Sequence, residues 1–377
     1  MKTKLISLFI ILFHIFTSPA FSQLKPGFDI DEYIELLKIM KLQFNPQHPS
    51  KDFPQPQYSK IIYSSPEGPL KNQWNLWLRN DNVAIVTIRG TVPKLSSWME
   101  NFYTAMSPAT GTIIFKDSAT FVYKLAADSN ASIHTGWLIG LSSIANDVCK
   151  RLTHLHDSLG VKDVIITGHS QGGAISYLMT SYLYYKIKAR ELPHFRLKTY
   201  SCAAPKPGNV YYAYDYEAIT NGGWAFNVVN SLDWVPQTPL AVETINDLNP
   251  INPFVIANKS ISSFKFPKNI VLKHIFNKMK KSSEQTRDYY SYYLGKKAYK
   301  IISSYIPNLT QPTYSHTMDY QRAGTTIIFR PDKEYLSKYP YKVKDIENHI
   351  FMHHLLRPYL FLARKYKEIH SQPAAIH

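Results

Sequence analysis

The sequence predicts an α/β domain built around a mostly parallel β-sheet, and three observations lead to that fold class. An apolar, β-branched run at 164–167 passes through a glycine-containing turn at 168–172 into a helix-like stretch. Strand-like and helical segments alternate between 133 and 230, as they do in parallel sheets with right-handed crossovers. Apolar residues make up 45% of the 377 residues, which is enough to fill a large core.

The individual elements follow from periodicity and turn residues. Apolar residues at helical spacing over 29–41, behind Asp29 as a cap, predict a helix. The proline- and glutamine-rich stretch 45–57 predicts an extended connector, and alternating residues around Asn80-Asp81-Asn82 predict a β-hairpin. The hairpin strands are predicted at 74–79 and 83–89, further helices at 133–159 and 172–189, and further strands at 164–167, 197–202 and 226–230.

The N-terminus predicts a secretory signal peptide over residues 1–22, followed by one domain over 23–377. Lys2 and Lys4 precede an apolar stretch at 5–16, and Ala20 and Ser22 are small residues suited to cleavage before Gln23. The apolar stretch is short for a membrane span, although an uncleaved N-terminal anchor is the alternative. We therefore expect a secreted protein, either periplasmic or extracellular.

The chain is strongly basic. Its formal net charge is +16, which becomes +14 when Lys2 and Lys4 leave with the signal peptide. An anionic membrane or polymer surface suits an exported basic protein, whereas the export signal and the lack of a binding motif argue against nucleic acid. The two cysteines, Cys149 and Cys202, fall on a predicted helix and a predicted strand, which favours two buried free thiols over a disulfide.

The turn Gly168-His169-Ser170-Gln171-Gly172 has the G-x-S-x-G pattern of a nucleophile elbow. The turn would hold Ser170 in strained backbone angles, and side chains at 168 or 172 would collide with the neighbouring strand and helix. The helix that follows begins beneath the hydroxyl and favours developing negative charge. The alternative is a tight strand-to-helix turn that happens to contain a serine.

A serine nucleophile needs a base, an acid that orients the base, and donors for the oxyanion. Asp233 follows a predicted buried strand, and Pro236 ends any helix there, so Asp233 is the candidate acid, with an ordinary turn as the alternative. Thr91 follows the predicted strand at 83–89 and offers an N–H and a hydroxyl, while Gln171 offers a second N–H. For Thr91 the alternative is a capped strand end.

Six motifs follow one another along the chain: Arg89-Gly90-Thr91, Ser97-Trp98, His134-Thr135-Gly136-Trp137, GHSQGGA from Gly168, Pro205 to Asn209, and Asn230 to Pro236. In this order they resemble those of the class 3 (fungal-type) lipase family, which has the α/β-hydrolase fold. The resemblance covers about 74–239 and implies Ser170 as nucleophile, Asp233 as orienting acid, and Thr91 with Gln171 as oxyanion-hole donors. It also implies a lid between 93 and 131. Ser97 and Trp137 stand where the family usually has asparagine and phenylalanine.

The base is the least constrained member of the predicted site. Family members commonly carry a histidine five positions before an aromatic residue, which implies His354 before Tyr359, with His353 as the next choice. His349 and His353, four residues apart, could instead bind zinc on a helix face, but no H-E-x-x-H pattern accompanies them. The candidates after Asp233 are His274, His316, His349, His353, His354, His370 and His377.

An unusual basic segment separates Asp233 from His354 and predicts an insertion over about 241–345. Between Lys259 and Lys300 it contains ten lysines and one arginine against two acidic residues, a net charge of +9, with aromatic and aliphatic residues interleaved. One hypothesis is a mobile cap that meets anionic lipid surfaces and shapes the acyl site. The alternative is a solvated helical insertion whose tyrosines pack on the main domain.

Together these features predict a secreted serine lipase or esterase that cleaves acyl-lipid esters through an acyl-enzyme and requires no cofactor or metal. The alternatives are a phospholipase A1, an esterase for short or aromatic acyl groups, and a lipid-binding hydrolase fold without turnover. The sequence leaves the oligomeric state open.

Overall fold

A computed structural model of the chain describes residues 24–43, 53–340 and 346–371. The predicted signal peptide and much of the predicted connector at 45–57 lie outside these residues. The helices are α1 (Ile30–Leu42), α2 (Leu95–Phe102), α3 (Thr135–Leu159), α4 (Gln171–Lys188), α5 (Val210–Ile219), α6 (Ala257–Ser262), α7 (Lys268–Ser291), α8 (Ala298–Tyr305), α9 (Lys333–Lys338), α10 (Ile346–His349) and α11 (Leu356–Ser371). The strands are β1 (Ser59–Ser64), β2 (Trp74–Arg79), β3 (Val83–Ile88), β4 (Met106–Pro108), β5 (Thr110–Ile114), β6 (Thr120–Lys124), β7 (Ser132–His134), β8 (Asp163–His169), β9 (Arg196–Cys202), β10 (Ala225–Asn230) and β11 (Thr325–Phe329).

A seven-stranded sheet in the order β1-β2-β3-β8-β9-β10-β11 forms the centre of the fold. The pairs from β3 to β11 are all parallel, whereas β1, β2 and β3 pair antiparallel at one edge. Helices connect the parallel strands, and the candidate nucleophile follows β8 in the middle of the sheet. The predicted α/β-hydrolase fold is confirmed.

The sheet is buried on both faces because its strands alternate between two apolar clusters. Val164 and Ile166 of β8 pack in the cluster that includes α3 and α4, whereas Ile165 packs in the cluster that includes α1 and α11. Such two-sided burial is typical of parallel strands and explains their continuous apolar runs. The Asp29 carboxylate caps α1 by accepting the N–H groups of Asp31 and Glu32, as predicted.

Only part of the insertion predicted over 241–345 lies outside the central sheet and its helical layers. Residues 325–329, within the predicted 241–345, form β11 and pair in parallel with β10, so this part belongs to the central sheet. The β-branched run Thr325-Thr326-Ile327-Ile328 suits a strand, and Phe329 is buried against the core. The peripheral part is the helical stretch from α6 through α8. Along it Tyr290 packs near Met106 and Met318, whereas Tyr289, Tyr292 and Tyr293 are exposed.

Both cysteines are free in the structure, with Cys202 buried and Cys149 half-buried. Within the described ranges, none of the helices combines the length and the apolar character that a membrane crossing requires.

Candidate active site

Ser170 lies in the sharp turn between β8 and α4. Its backbone angles, φ 61° and ψ −127°, are ones that residues with a side chain rarely adopt. Such strain costs on the order of 1–3 kcal/mol and persists only where the surrounding structure enforces it. Here the Ser170 N–H donates to the Cys202 carbonyl at 2.9 Å, and the Ser170 carbonyl accepts the Ala174 N–H at 3.0 Å. These bonds fix the serine at the carboxyl end of the sheet.

The glycines of the turn are required by close backbone contacts, as the sequence predicts. A Cβ at Gly168 would lie 2.3 Å from the carbonyl carbon of Gly172. A Cβ at Gly172 would lie 2.1 Å from the Ile88 carbonyl oxygen on β3. Both distances are far inside van der Waals contact, so the backbone packs this tightly only without side chains.

Asp233 and His354 form a buried hydrogen-bonded pair. The Nδ1 atom of His354 lies 2.8 Å from Oδ2 of Asp233, although 121 residues separate them. The same oxygen accepts the Tyr359 hydroxyl at 2.9 Å, and Oδ1 accepts the Val235 N–H at 3.0 Å. Because a carboxylate only accepts hydrogen bonds, Nδ1 of His354 carries the proton, which leaves Nε2 with a lone pair.

His353 points to different partners. Its Nδ1 lies 2.8 Å from the Tyr335 hydroxyl, its ring stacks on Tyr335, and its carbonyl accepts the Asn230 side-chain amide at 3.1 Å. Burial lowers the pKa of His353 despite the nearby Asp233. Of the two adjacent histidines, His354 is therefore the one that is hydrogen-bonded to the candidate acid. Within 24–43, 53–340 and 346–371, no three histidine, cysteine or acidic side chains are grouped to hold a metal ion.

His169, next to the nucleophile, links the two halves of the site. Its Nε2 donates to the His354 carbonyl at 2.7 Å, and the two rings lie 4.6 Å apart between centroids. Burial and the neighbouring His354 lower the pKa of His169 well below its usual range, so the ring is neutral. The sequence did not indicate this role, because His169 occupies a variable position of the G-x-S-x-G pattern.

Thr91 and Gln171, the predicted oxyanion donors, are in direct contact. The Thr91 hydroxyl donates to Oε1 of Gln171 at 2.9 Å and accepts the Asn101 side-chain amide at 2.9 Å. Ser97 also donates to Oε1 of Gln171, at 3.3 Å. The Gln171 N–H belongs to the first turn of α4, where backbone N–H groups have no partner inside the helix.

Asn101, which the sequence analysis did not single out, is held by the His134-to-Trp137 motif. The Trp137 indole donates to Oδ1 of Asn101 at 3.0 Å, and Nε2 of His134 lies 3.2 Å from the Asn101 carbonyl. Nδ1 of His134 accepts the Trp137 N–H at 3.2 Å, so Nε2 is the protonated nitrogen. Burial lowers the pKa of His134 to about 3, which keeps the ring neutral. The motif therefore orients Asn101, and Asn101 orients the Thr91 hydroxyl.

A cavity of about 730 Å³ brings the predicted site residues together. Ser170, His354, Thr91 and Gln171 all line it, and Asp233 lies behind His354. Most of the remaining wall is apolar and comes from five parts of the chain. These side chains include Trp98, Phe102, Trp137, Val235, Leu240, Leu294, Phe351 and Leu355. A hydrocarbon group bound against such a wall is shielded from water, while the polar groups lie at one end of the cavity.

Glu100 is a buried carboxyl group beside this site that the sequence did not reveal, since an acidic residue on a short helix resembles an ordinary surface charge. It is fully buried, and the Asn72 amide donates to both of its oxygens, at 3.0 and 2.9 Å. Burial raises the pKa of Glu100 to about 8, against the opposing effect of the hydrogen bonds from Asn72. The carboxyl is therefore largely protonated at neutral pH.

Replacing Glu100 with glutamine is expected to stabilise the protein increasingly as the pH rises. Between the ordinary pKa of 4.5 and about 8, the folded chain keeps a proton that the unfolded chain releases. Folding stability therefore falls by about 1.4 kcal/mol per pH unit across that window, and Glu100→Gln removes this loss. Melting temperatures at pH 5, 6, 7 and 8 should show a growing advantage for the variant. Glu368→Gln, at an exposed site, is the control. A difference from wild type that does not change with pH would contradict the assignment.

A family model described as lipase (class 3) matches residues 85–243, which overlap most of the region where the motifs predict that family. A search of curated protein sequences gave no match. Similar solved structures include lipase II from Rhizopus niveus, at 22% identity and a TM-score of 0.43, over 56% of this chain and 74% of that one. A lipase from Yarrowia lipolytica is 16% identical with a TM-score of 0.43, over 58% of this chain and 77% of its own. A triacylglycerol lipase from Penicillium expansum is 15% identical with a TM-score of 0.43, over 56% and 75%.

Proposed function

We propose that this chain, whose residues 85–243 match the class 3 lipase family model, cleaves acyl-lipid esters through a covalent intermediate on Ser170. One observation carries the proposal. The hydrogen-bonded pair of Asp233 and His354, 2.8 Å apart, lies at the same cavity as a strained serine. A nucleophile, a base and an acid that fixes the base's tautomer are the parts that acyl transfer by serine requires.

In the proposed reaction, Nε2 of His354 takes the Ser170 proton while Oγ attacks the ester carbonyl. Asp233 accepts from Nδ1 throughout, so the positive charge that develops on the imidazole is stabilised. His354 then protonates the leaving alcohol. In the second half of the reaction, His354 takes a proton from water, which attacks the acyl carbonyl, and then returns a proton to Ser170 as the fatty acid leaves. The chemistry uses only side chains and backbone groups of this chain.

The oxyanion would be held by the Gln171 N–H and by Thr91. Because the Thr91 hydroxyl now donates to Gln171, it would have to rotate toward the oxyanion, or the Thr91 N–H would serve instead. An oxyanion-hole donor typically contributes roughly 100- to 1000-fold in rate. Asn101, by donating to Thr91, limits where the threonine oxygen can move.

The apolar cavity favours a substantial acyl chain over an acetyl group. The test is a set of aryl esters from acetate to palmitate, together with emulsified triacylglycerol and phosphatidylcholine. We expect kcat/KM to rise with chain length and triacylglycerol to be cleaved faster than phospholipid. Faster cleavage of the sn-1 phospholipid ester would instead assign a phospholipase A1, and a preference for acetate a short-chain esterase. Binding without hydrolysis of any ester would identify a silent hydrolase fold.

We also propose that the chain is exported after removal of residues 1–22. The support is the pattern of a basic start, an apolar stretch and small residues before Gln23. The exported protein is recovered for the assays above, and its N-terminus is sequenced. We expect the mature chain to begin at Gln23. An intact N-terminus would contradict cleavage.

A further inference from the structure

The segment 251–281, which contains α6 and the first half of α7, carries apolar side chains into solvent. Eight of them are between 52% and 94% exposed: Ile251, Val255, Ile256, Phe266, Ile270, Val271, Ile275 and Met279. On α7, Val271, Ile275 and Met279 recur every four residues and form one stripe. Isolated exposed apolar residues are ordinary, but a continuous exposed set marks a site of interaction.

The same segment is uniformly basic. Residues 251–281 contain seven lysines and no aspartate or glutamate. At about 100° per residue, Lys273 and Lys281 point away from the stripe of Val271, Ile275 and Met279. Lys278 lies at the edge of the stripe, beside Val271. An apolar face with lysines on the flanks and back is the composition of a helix that lies in a lipid–water interface. Lysine side chains can reach headgroups while their stems stay in apolar surroundings.

The second half of α7 and the helical segment at 292–297 that follows it are anchored to the body of the protein and reach the cavity. Tyr290 and Leu294 line the cavity wall, and the Leu294 carbonyl accepts the Ala105 N–H at 3.2 Å. A Cβ at Gly295 would lie 2.9 Å from the Cβ of Ala105, so the helical segment packs closely here. Val271 lies about 28 Å along the helix from Tyr290. A surface bound by the first half of α7 is thus rigidly connected to the cavity wall.

We propose that residues 251–281 bind an anionic lipid surface, with the stripe on α7 at the acyl boundary and the lysines on the headgroups. A second copy of this chain suits the face poorly, because a symmetric contact would bring two segments of seven lysines together without a carboxylate. A polyanion without an apolar phase would leave the stripe in water. Binding does not depend on ester hydrolysis, so the two proposals can fail separately.

The test is cosedimentation with vesicles of phosphatidylcholine alone or with phosphatidylserine, using Ser170→Ala so that no lipid is consumed. We expect binding that requires phosphatidylserine and weakens with added salt. Lys273→Gln with Lys278→Gln and Lys281→Gln should weaken it on the order of 100-fold. Ile275→Ser with Met279→Ser should weaken it at least about tenfold.

Matched controls lie elsewhere on the surface. Lys60, Lys150 and Lys162 are exposed, and their replacement by glutamine removes the same charge. Ile62→Ser with Val122→Ser removes exposed apolar side chains from the sheet edge and a hairpin. The proposal is overturned if these controls lose as much affinity, if the Ile275/Met279 variant binds like wild type, or if wild type does not bind. A dimer that Ile275→Ser with Met279→Ser converts to a monomer would also overturn it, in favour of a second copy.

Discussion

Ser170→Ala is expected to reduce ester hydrolysis by about 10⁴- to 10⁶-fold while leaving the fold intact. The variant removes the attacking oxygen but keeps the Cβ and the strained backbone angles of the elbow. A long-chain aryl ester assay measures the loss, and circular dichroism with a melting curve verifies the fold. An alkyl phosphonate should label the wild-type protein at Ser170 and leave the variant unmodified.

Ser337→Ala is the control for this prediction, because Ser337 is exposed on α9 and does not line the cavity. It should retain wild-type activity. Hydrolysis that survives in Ser170→Ala would remove Ser170 as the nucleophile and with it the proposed mechanism.

His354→Ala is expected to lower kcat by about 10⁴-fold or more, whereas His353→Ala should change kcat by less than about tenfold. The reason is geometric, since Nδ1 of His354 bonds to Asp233 and Nδ1 of His353 bonds to the Tyr335 hydroxyl. Losing the Tyr335 bond costs about 1–2 kcal/mol of stability, so His353→Ala should melt at a lower temperature. The two effects are thus separated by measuring kcat well below both melting points.

The outcome that would contradict this assignment is a natively folded His353→Ala with the larger kinetic loss. Equally small losses of kcat in both variants, with normal melting curves, would place the base elsewhere among the C-terminal histidines.

The elements around the site were predictable because their sequence signals are local. The elbow needs glycines where backbones nearly touch, and Asp233 follows a buried strand directly, so a short window of sequence contains each signal. The parallel sheet followed from the same logic, since strands buried on both faces are continuous apolar runs.

The histidine was harder to choose from sequence because its position depends on tertiary structure. Residues 352–354 reach Asp233 only because β11 and α11 complete the sheet and its helical layer after a long peripheral segment. β11 was hidden inside the predicted insertion, as five residues give too short a pattern to distinguish a strand from a loop. Glu100 and Asn101 were missed because burial on the inner side of α2 cannot be read from eight residues.

The hydrogen bond between His169 and the His354 carbonyl joins positions that are synthesised far apart in time. The ribosome adds roughly 5–20 residues per second, so the 184 residues between Ser170 and His354 take about 10–40 s to make. Throughout that interval the nascent chain holds its serine without its partner base. On the proposed mechanism, the chain therefore cannot hydrolyse esters while it is being made. It becomes active only when residues 352–371 dock beside the Ser170 turn.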